Sequence, residues 1–490
     1  MIIMSNENKL YKLFEDNFKR YPEKIGIIIT EKKISYKELS ERVLSWSNFF
    51  NSIGVREGDR LVLSTDDRLD FISSWLALWK LGAIPIPTEP TSGVAEISRA
   101  LESGKPQWIC SENPEHLKAL TGKLEEFSFE LRPNWIIRKI YCNDNIESIK
   151  NSAFYTYTSG TTGAPKCVMY NVDATIAIIT SLIDAFKLTS SDTFMTPLTP
   201  SLPSVIFTAI LPSLASGATL VLIDEPIPST ALRVLRETNT TVFFTVPYFY
   251  RLMINAMKVR KINKFTNLRL CVATSAYLDE DTFNEFYKLT SVPIRSIFCS
   301  SEAFYCTFNP NNDIEKLRKS VGICQKGVKL KIVDKIGKDV APFNEGEIVV
   351  SGTHKSSGYF CKPELEKMVF RDGWVYTGDL GYMDEEGYLY ITGRVSDTVN
   401  VGGHLVNPQE VESVLISYPG ISEAMMVGEK DEEIGEIVVA KVVLKSGVEI
   451  DTKNVIQYCK KMLLPYKVPS RIEVIDNIPK SRYGKIRRLS

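Results

Sequence analysis

The sequence predicts an α/β fold in which a large N-terminal body of layered α/β subdomains, including a β-rich subdomain, precedes a small α+β C-terminal domain. Helical and strand signals alternate through the first hundred residues, later strand-like runs are continuously apolar, and short strands and turns dominate from about residue 328. Alternating elements are typical of layered α/β folds, and continuously apolar strands are typical of a sheet covered on both faces.

An amphipathic helix is predicted between Ser35 and Gly54. Ser35 and Glu38 have the spacing of a capping box, and glycine is the residue type that most often ends a helix. The apolar residues between them recur at helical intervals and form one face: Leu39, Val43, Trp46 and Phe50. A strand at 61–65, a further helix and a strand at 83–87 follow, and together they continue the alternation.

The buried strands of the body are predicted from short runs rich in β-branched and aromatic residues. These runs lie at 218–223, 241–246 and 268–274. The most apolar stretch, from Thr196 to Ile223, is interrupted by four prolines and does not predict a membrane span.

A domain boundary is predicted after residue 395. Residues 1–395 form the N-terminal domain, whose β-rich subdomain covers about 328–395, and residues 396–490 form the C-terminal domain. In the C-terminal domain, Asn407 and Pro408 have the pattern of a helix start.

Charge and cysteine content narrow the class of partner. Lysine plus arginine equal aspartate plus glutamate at 59 each, so no net field favours nucleic acid or an anionic membrane, and a small molecule or protein partner is expected. The nine cysteines are scattered without CxxC spacing, which argues against a disulfide framework or zinc site. Together with an N-terminus that lacks signal-peptide character, this predicts a cytoplasmic protein.

Residues 157–166, YTSGTTGAPK, have the composition of a phosphate-binding loop. Glycines allow backbone N–H groups to approach phosphate oxygens, hydroxyls donate hydrogen bonds, and lysine supplies positive charge. The predicted phosphate-binding residues of this loop are Thr158, Ser159, Gly160, Thr161, Thr162, Gly163 and Lys166. The spacing is not that of a P-loop, and the structural alternative is a surface loop.

This loop resembles the signature of the acyl-adenylate-forming (AMP-binding) superfamily, and the chain as a whole is most similar to acyl-CoA synthetases and ligases. The resemblance covers nearly the whole chain, because further motifs follow in the order of that family. They are FCSSE at 298–302, GYxxxPE at 358–364, YTGD at 376–379, GYLYITGR ending at Arg394, and IPKSRYGKIRR at 478–488.

The resemblance implies roles for three residues of the FCSSE segment. Phe298 stacks on adenine, Ser301 lies near the α-phosphate, and Glu302 holds Mg²⁺ with a carboxylate oxygen. Ser275 is implied beside adenine. Taken singly, Phe298 also fits a core aromatic and Glu302 a solvated carboxylate.

The later motifs imply the remaining site residues. Asp379 and Arg394 bind the ribose hydroxyls, although an isolated TGD also fits a turn. Lys485 catalyses adenylate formation, and the alternative is a basic, solvated tail. In the family the C-terminal domain is mobile; Ser396 has the hinge position and Gly403 lines the thiol tunnel. Both are named by resemblance.

Several positions depart from the family pattern. Cys167, the pair Thr274 and Ser275, and Cys299 replace glycines and are expected to add volume near substrate, whereas Leu405 replaces a basic residue. The segment 199–207, TPSLPSVIF, has neither the histidine of many relatives nor the aspartate that binds an α-amino group. An aliphatic or aryl acid is therefore preferred over an amino acid.

The sequence thus predicts an AMP-forming ligase that joins a fatty or aryl acid to coenzyme A, with ATP and Mg²⁺. One alternative acceptor is the phosphopantetheine of a carrier protein. A catalytically inactive nucleotide sensor is a more distant alternative, and luciferase-like oxygen chemistry has no specific support. The oligomeric state is left open.

Overall fold

The structure is a computed structural model that describes residues 7–120, 124–130, 132–141, 151–158, 166–262, 264–401, 404–431, 435–480, 486 and 488. The chain divides into two compact units. The first unit comprises Met1–Lys329 and Val350–Val375, and the second comprises Leu330–Val349 and Tyr376–Ser490. The boundary after residue 395 stays a prediction.

The helices of the described residues are concentrated in the first unit. They are α1 (Glu7–Arg20), α2 (Tyr36–Ile53), α3 (Arg68–Lys80), α4 (Val94–Gly104), α5 (Val172–Phe186), α6 (Pro203–Val205), α7 (Leu211–Ala215), α8 (Pro228–Glu237), α9 (Pro247–Arg260), α10 (Glu280–Thr290), α11 (Ile314–Lys319), α12 (Pro363–Val369), α13 (Pro408–Ile416) and α14 (Thr452–Met462). A π-helical turn, Ile206–Ile210, joins α6 to α7, and short 3₁₀ turns lie at Pro114–Ala119, Val395–Asp397 and Pro465–Lys467.

Most of the strands are short, and most of them belong to five larger sheets. They are β1 (Ile25–Ile29), β2 (Lys32–Ser35), β3 (Arg60–Ser64), β4 (Ile84–Pro87), β5 (Trp108–Ser111), β6 (Leu124–Phe129), β7 (Arg132–Ile140), β8 (Ser152–Tyr157), β9 (Cys167–Asn171), β10 (Thr193–Thr196), β11 (Thr219–Leu222), β12 (Val242–Thr245), β13 (Leu270–Ala273), β14 (Ile294–Ser296), β15 (Cys299–Ser300), β16 (Phe304–Tyr305), β17 (Thr307–Phe308), β18 (Ile323–Cys324), β19 (Val328–Val333), β20 (Gly346–Gly352), β21 (Gly358–Tyr359), β22 (Phe370–Arg371), β23 (Trp374–Met383), β24 (Leu389–Arg394), β25 (Val399–Val401), β26 (His404–Val406), β27 (Ile421–Asp431), β28 (Gly435–Leu444) and β29 (Arg471–Val474).

The first unit is built on a seven-stranded sheet in the order β14-β13-β12-β10-β11-β1-β2. The strands from β14 to β1 are parallel, and β2 is antiparallel at the edge. Every residue of β12 and β13 is buried, as the continuous apolar runs predict. A five-stranded sheet, β4-β3-β5-β7-β6, and a three-stranded sheet, β21-β9-β8, complete this unit's larger sheets.

An aromatic cluster supports the part of the first unit where the predicted site residues lie. The rings of Phe154 and Tyr170 stack with centroids 4.8 Å apart, and Phe207 lies 4.1 Å from Phe154. Phe304 meets Phe207 edge-on at 4.7 Å. Because aromatic side chains bury large areas and have few rotamers, this cluster fixes the strands that carry them.

The second unit contains the C-terminal sheet, in which β26-β25-β28-β27 follow in order and β29 pairs parallel to β28. Helices α13 and α14 contribute apolar residues to its core, among them Val411, Leu415, Val455 and Cys459. A further sheet, β19-β20-β23-β22 with β24 beside β23, matches the predicted β-rich texture, and the division between the units passes through three of its strands.

The predicted fold class is confirmed, and its local signals are visible in α2. Ser35 Oγ accepts a hydrogen bond from Glu38 N, and the Glu38 carboxylate accepts one from Ser35 N. Gly54 ends the helix with a φ of 97°. Within the described ranges, no helix is both long and apolar enough to cross a membrane.

Candidate active site

Two of the predicted phosphate-loop residues lie at the open end of a hairpin. Strands β8 and β9 are antiparallel up to the pair Tyr157 and Cys167. Beyond that pair, Thr158 N donates to Lys166 O at 3.0 Å, and Lys166 N lies 3.4 Å from Thr158 Oγ1. The rest of the loop, Ser159, Gly160, Thr161, Thr162 and Gly163, lies outside the described residues, and its phosphate contacts stay predictions.

The side chain of Lys166 lies against the ring of Tyr359. Its ammonium nitrogen is 5.2 Å from the ring centroid, within the range of a cation–π interaction. Strand pairing explains this contact, because Tyr359 in β21 is the antiparallel partner of Val168 in β9, two residues after the lysine. The sheet therefore places an aromatic ring beside the loop lysine.

Glu302 lies in the turn between β15 and β16, which pair as a short hairpin. Two hydrogen bonds hold the backbone of this turn to neighbouring segments. Tyr170 Oη donates to Ser301 O at 2.9 Å, and Ser356 N donates to Glu302 O at 2.9 Å. The turn that carries Ser301 and Glu302 is thus fixed to the aromatic cluster and to the chain ahead of β21.

The Glu302 carboxylate has a neutral partner. Tyr359 Oη donates to Glu302 Oε1 at 2.6 Å, and burial, reinforced by Glu302, raises the pKa of this phenol, so it remains a protonated donor. Among the residues that the structure describes, no cation forms an ion pair with Glu302 and no group donates to Oε2. Glu302 therefore has a neutral donor on one carboxylate oxygen, and its other oxygen is available for a ligand.

Glu302 fits a magnesium ion that phosphate oxygens and water complete. Mg²⁺ prefers carboxylate oxygen and is usually bound by one or two carboxylates together with substrate phosphates. In the described part of the chain, no group of three or more histidine, cysteine, aspartate or glutamate side chains could form an all-protein metal site. One available carboxylate oxygen is the protein ligand expected for a Mg²⁺ ion whose other ligands are nucleotide phosphates and water.

The predicted adenine-side residues follow the carboxyl ends of parallel strands, where ligands bind in open α/β sheets. Thr274 and Ser275 directly follow β13, and Phe298 follows β14. Thr274 is buried, with Oγ1 3.3 Å from Cys299 Sγ, whereas Ser275 is exposed with a φ of 71°. Phe298 is 7% exposed, and its stacking on adenine stays a prediction.

Cys167, which was expected to add volume near substrate, lies in the core instead. Its side chain is fully buried in an apolar cluster that includes Tyr155, Met169 and Phe360. The volume that this cysteine adds is therefore taken up by the core beneath the hairpin rather than by a substrate pocket. Alternation along β9 explains the difference, because successive side chains of a strand point to opposite faces.

The predicted ribose residues, Asp379 and Arg394, face each other in the second unit. They are directly opposite in the antiparallel pair β23 and β24, and Arg394 Nε lies 2.7 Å from Asp379 Oδ1. The two side chains are at ion-pair distance. Their geometry is oblique, so Arg394 Nε forms no aligned hydrogen bond. The sheet holds cross-strand neighbours in register, so the Asp379 carboxylate, an acceptor, and the Arg394 guanidinium, a donor, are held side by side.

The predicted hinge residue lies in a short 3₁₀ turn after β24. Ser396 Oγ donates to Asp397 Oδ1 at 2.9 Å. Gly403 and Lys485 lie outside the described residues, and their roles stay predictions. His404, next to Gly403, stacks on Tyr466 with ring centroids 4.4 Å apart.

Tyr359 is the main residue that sequence reasoning missed as part of the site. It contacts Lys166 and Glu302, which belong to distant parts of the chain. The only sequence signal was its position in the GYxxxPE segment, which gave the resemblance but no role. A hydroxyl that orients a carboxylate has no local pattern of its own.

Comparison with known proteins agrees with these motifs. Residues 14–360 match the AMP-binding enzyme family, and residues 410–485 match the AMP-binding enzyme C-terminal domain. The chain is 24% identical to an oxalate–CoA ligase of Arabidopsis thaliana, covering 99% of this chain and 98% of that protein. It is 27% identical to a long-chain-fatty-acid–CoA ligase of Bacillus subtilis (strain 168), covering 98% and 93%.

A solved structure extends the similarity to three dimensions. ATP-bound MatB from Rhodopseudomonas palustris superposes with a TM-score of 0.85 at 26% identity, covering 97% of both chains. The family match covers well over half of the sequence, and the relatives match over nearly their whole length. The chain therefore belongs to the AMP-binding enzyme family of adenylate-forming ligases.

Proposed function

We propose that this protein is an AMP-forming carboxylate–thiol ligase that activates a fatty or aryl acid with ATP and transfers the acyl group to coenzyme A. The observation that carries the proposal is the meeting of Lys166 and Glu302 at Tyr359. A cation and an available carboxylate, brought together beside a hydroxyl-rich loop, are what the binding of a metal–polyphosphate requires.

In the first half-reaction, an oxygen of the substrate carboxylate attacks the α-phosphorus of ATP, and pyrophosphate leaves. The carboxylate is already ionised at neutral pH, since its pKa is about 4, so no general base is needed. The two buried histidines are consistent with a step that has no general base. Burial lowers the pKa of His116 and of His354, and both rings bond to neighbouring groups of the body.

Charge neutralisation and alignment are the main needs of this step, because two anions must meet in line. Lys166 neutralises phosphate charge beside the loop, and Lys485 is assigned to the reacting carboxylate and α-phosphate. Glu302 would hold Mg²⁺, which when bound supplies positive charge to the phosphate oxygens. Tyr359 keeps the Glu302 carboxylate oriented without neutralising it.

In the second half-reaction, a thiol attacks the acyl carbon of the mixed anhydride. A carbon–sulfur bond forms, the bond between the acyl carbon and the phosphate oxygen breaks, and AMP leaves with that oxygen. The thiol proton passes to solvent. No group of the body has to act as a strong base, because AMP is a good leaving group.

The preference for an aliphatic or aryl acid rests on this chain's own residues. The relatives named above act on acids as different as oxalate and long-chain fatty acids. The segment 199–207, which follows β10, contains only hydroxyl, apolar and proline residues, and it offers no carboxylate to an α-amino group. Burying an ammonium group there without a partner is costly, which disfavours amino acids.

The test is ATP–pyrophosphate exchange across a panel of aliphatic, aryl and amino acids, followed by addition of coenzyme A with the best acid. Lys485→Ala is the catalytic variant, and Lys453→Ala, at an exposed lysine in the first turn of α14, is the matched control. We expect exchange that Lys485→Ala abolishes and Lys453→Ala retains, and then release of acyl-CoA.

Two other outcomes would change the assignment. Exchange without acyl-CoA release, but with transfer to the pantetheine arm of a carrier protein, would move the acceptor to a carrier protein. ATP binding without exchange for any acid would contradict the ligase and support a nucleotide sensor.

A further inference from the structure

The residue Arg488 joins the C-terminal tail to two acids of the second unit. Its Nη2 donates to Glu412 Oε1 at 2.6 Å and to Oε2 at 2.8 Å, and its Nη1 donates to Asp397 Oδ2 at 3.3 Å. Arg488 follows Lys485 by three residues. One guanidinium therefore connects the segment after the predicted catalytic lysine to two separate elements.

Glu412 is a rigid anchor for this guanidinium. It lies in α13, is 7% exposed, and its Oε1 also accepts a hydrogen bond from Met426 N of β27 at 2.8 Å. Burial raises the pKa of Glu412, and Arg488 opposes that rise. A buried carboxylate is costly unless it is paired and hydrogen-bonded, so Glu412 and Arg488 hold each other in one arrangement.

Asp397 ties the same guanidinium to the predicted hinge. Its Oδ1 accepts the hydrogen bond of Ser396 Oγ, and its Oδ2 accepts that of Arg488. The two oxygens of one carboxylate thus link the turn after β24 to the tail.

The chain on the other side of Lys485 is held as well. Lys480 Nζ lies 2.5 Å from Glu423 Oε2 of β27, and Lys480 pairs with Ile486 as an antiparallel bridge. Described residues before and after Lys485 are therefore attached to the same strand, Lys480 through Glu423 and Arg488 through Glu412 and Met426.

We propose that Arg488, through Glu412 and Asp397, is a positioning residue that sets the location of Lys485 for adenylate formation, an inference that rests on the proposed function. The lysine side chain is long and flexible, so its ammonium reaches a reacting group reliably only if its main chain is fixed. A displacement of about 1 Å in such a group lowers a rate by about 100-fold.

The test compares Arg488→Met, Arg488→Lys and Asp397→Asn with Arg471→Met in the full-length chain. Arg471 is the matched control, because it also contacts two acids, Glu429 and Glu473, but it is exposed and contacts neither Glu412 nor Asp397 in the described residues. Adenylation is measured by ATP–pyrophosphate exchange with the best acid. Thiol transfer is measured separately from chemically synthesised acyl-adenylate, which bypasses the step assigned to Lys485.

Arg488→Met should lower kcat for adenylation by about 100-fold with KM for ATP changed less than threefold, while thiol transfer stays within twofold of wild type. Arg488→Lys should retain part of the rate, because one ammonium replaces only one arm of the guanidinium. Asp397→Asn, which leaves the Glu412 anchor intact, should cause a smaller loss. A purely structural role would lower both half-reactions together, and that result, or unchanged adenylation, would overturn the proposal.

Limited trypsin cleavage in the segment 480–487, which holds several lysines and arginines, gives a readout that does not depend on activity. Arg488→Met should be cleaved there faster than wild type, and Arg471→Met should not. If wild type shows no exchange with any acid, the proposed function fails, whereas equal cleavage of Arg488→Met and wild type shows that the anchor itself does not hold the tail.

Discussion

Two glutamates of this protein, the half-buried Glu302 and the buried Glu412, accept hydrogen bonds from side chains of different charge. Glu302 in the first unit accepts a hydrogen bond from the neutral Tyr359 hydroxyl, and Glu412 in the second unit accepts hydrogen bonds from the Arg488 guanidinium. Both are held by short contacts, and both lie in turns or helices fixed by surrounding backbone bonds. The difference lies in the charge of the donor.

Under the proposed function, that difference separates an acid that binds a ligand from an acid that holds the chain. A phenol orients a carboxylate and leaves its charge in place, so Glu302 remains attractive to a metal ion. A guanidinium cancels the charge, so Glu412 stabilises structure and has little left for a ligand. Four substitutions separate these two uses.

Glu302→Gln and Glu412→Gln should have opposite consequences, and the first has the largest expected effect. Glu302→Gln should reduce adenylation by about 100- to 1,000-fold, because the electrostatic partner of the metal–phosphate is lost, with little change in unfolding free energy. Glu412→Gln should lower the unfolding free energy by about 2 kcal/mol, since a hydrogen bond between charged groups is weakened. Exchange kinetics and urea unfolding measure the two effects, and equal destabilisation by both variants would remove the distinction.

Arg488→Met should lower the unfolding free energy by about 3 kcal/mol at neutral pH, because Glu412 remains buried without its cation. In this variant the folded-state pKa of Glu412 lies further above its unfolded value of about 4.5. The deficit should be absent where Glu412 is protonated in both states, and it should grow as pH rises through that raised pKa. Urea unfolding between pH 4 and 8 measures it, and a deficit that is independent of pH would exclude Glu412 as its cause.

Tyr359→Phe should raise the Mg²⁺ concentration required for half-maximal adenylation by about tenfold, because Glu302 loses the donor that orients it. The Lys166 contact with the ring should survive, since the aromatic face is unchanged. Tyr250→Phe is the control, because that buried hydroxyl bonds to the backbone carbonyls of Phe243 and Val272. A magnesium dependence identical to wild type in both variants would contradict the role of Tyr359.

Thr274→Ala should have the smallest effect, a change of about fourfold in the preference between an aryl acid and its methyl-substituted homologue. The substitution removes a methyl group and the hydroxyl that contacts Cys299, and so opens space for about one methyl of the substrate. Burying one CH₂ group there contributes about 0.8 kcal/mol. The kcat/KM ratio for the two acids measures this preference. Thr240→Ala is the control, because this buried threonine precedes the amino end of β12, whereas Thr274 follows the carboxyl end of β13. The control should leave the ratio unchanged. If both variants behave alike, Thr274 does not contact the acid.

The sequence predicted well those features that depend on neighbours in the chain. The capping box of α2 and the buried strands β12 and β13 follow from local spacing and composition. Asp379 and Arg394 belong to consecutive strands, so one antiparallel register brings them together. For α2 and the two buried strands, short-range periodicity contains the information that the structure uses, whereas Asp379 and Arg394 were named by resemblance.

Contacts between segments that are distant in the chain could not be predicted from local spacing or composition. Tyr359 reaches Glu302 because β21 pairs with β9 and the hairpin turn meets Ser356, and neither pairing leaves a periodic pattern. The anchor of Arg488 was read only as part of a basic tail, because its acidic partners lie in a distant helix and turn. The direction of Cys167 was also missed, because its face depends on the register of β9.

The central claim is that the substrate carboxylate attacks the α-phosphorus of ATP, and oxygen-isotope transfer tests it most directly. The acid with the highest exchange activity is labelled with ¹⁸O in its carboxylate, the complete reaction is run with ATP and coenzyme A, and the products are analysed by mass spectrometry. The account predicts one ¹⁸O in AMP, because AMP leaves with the oxygen that formed the anhydride. Product thioester formed without label in AMP, or with the label in inorganic phosphate, would contradict it.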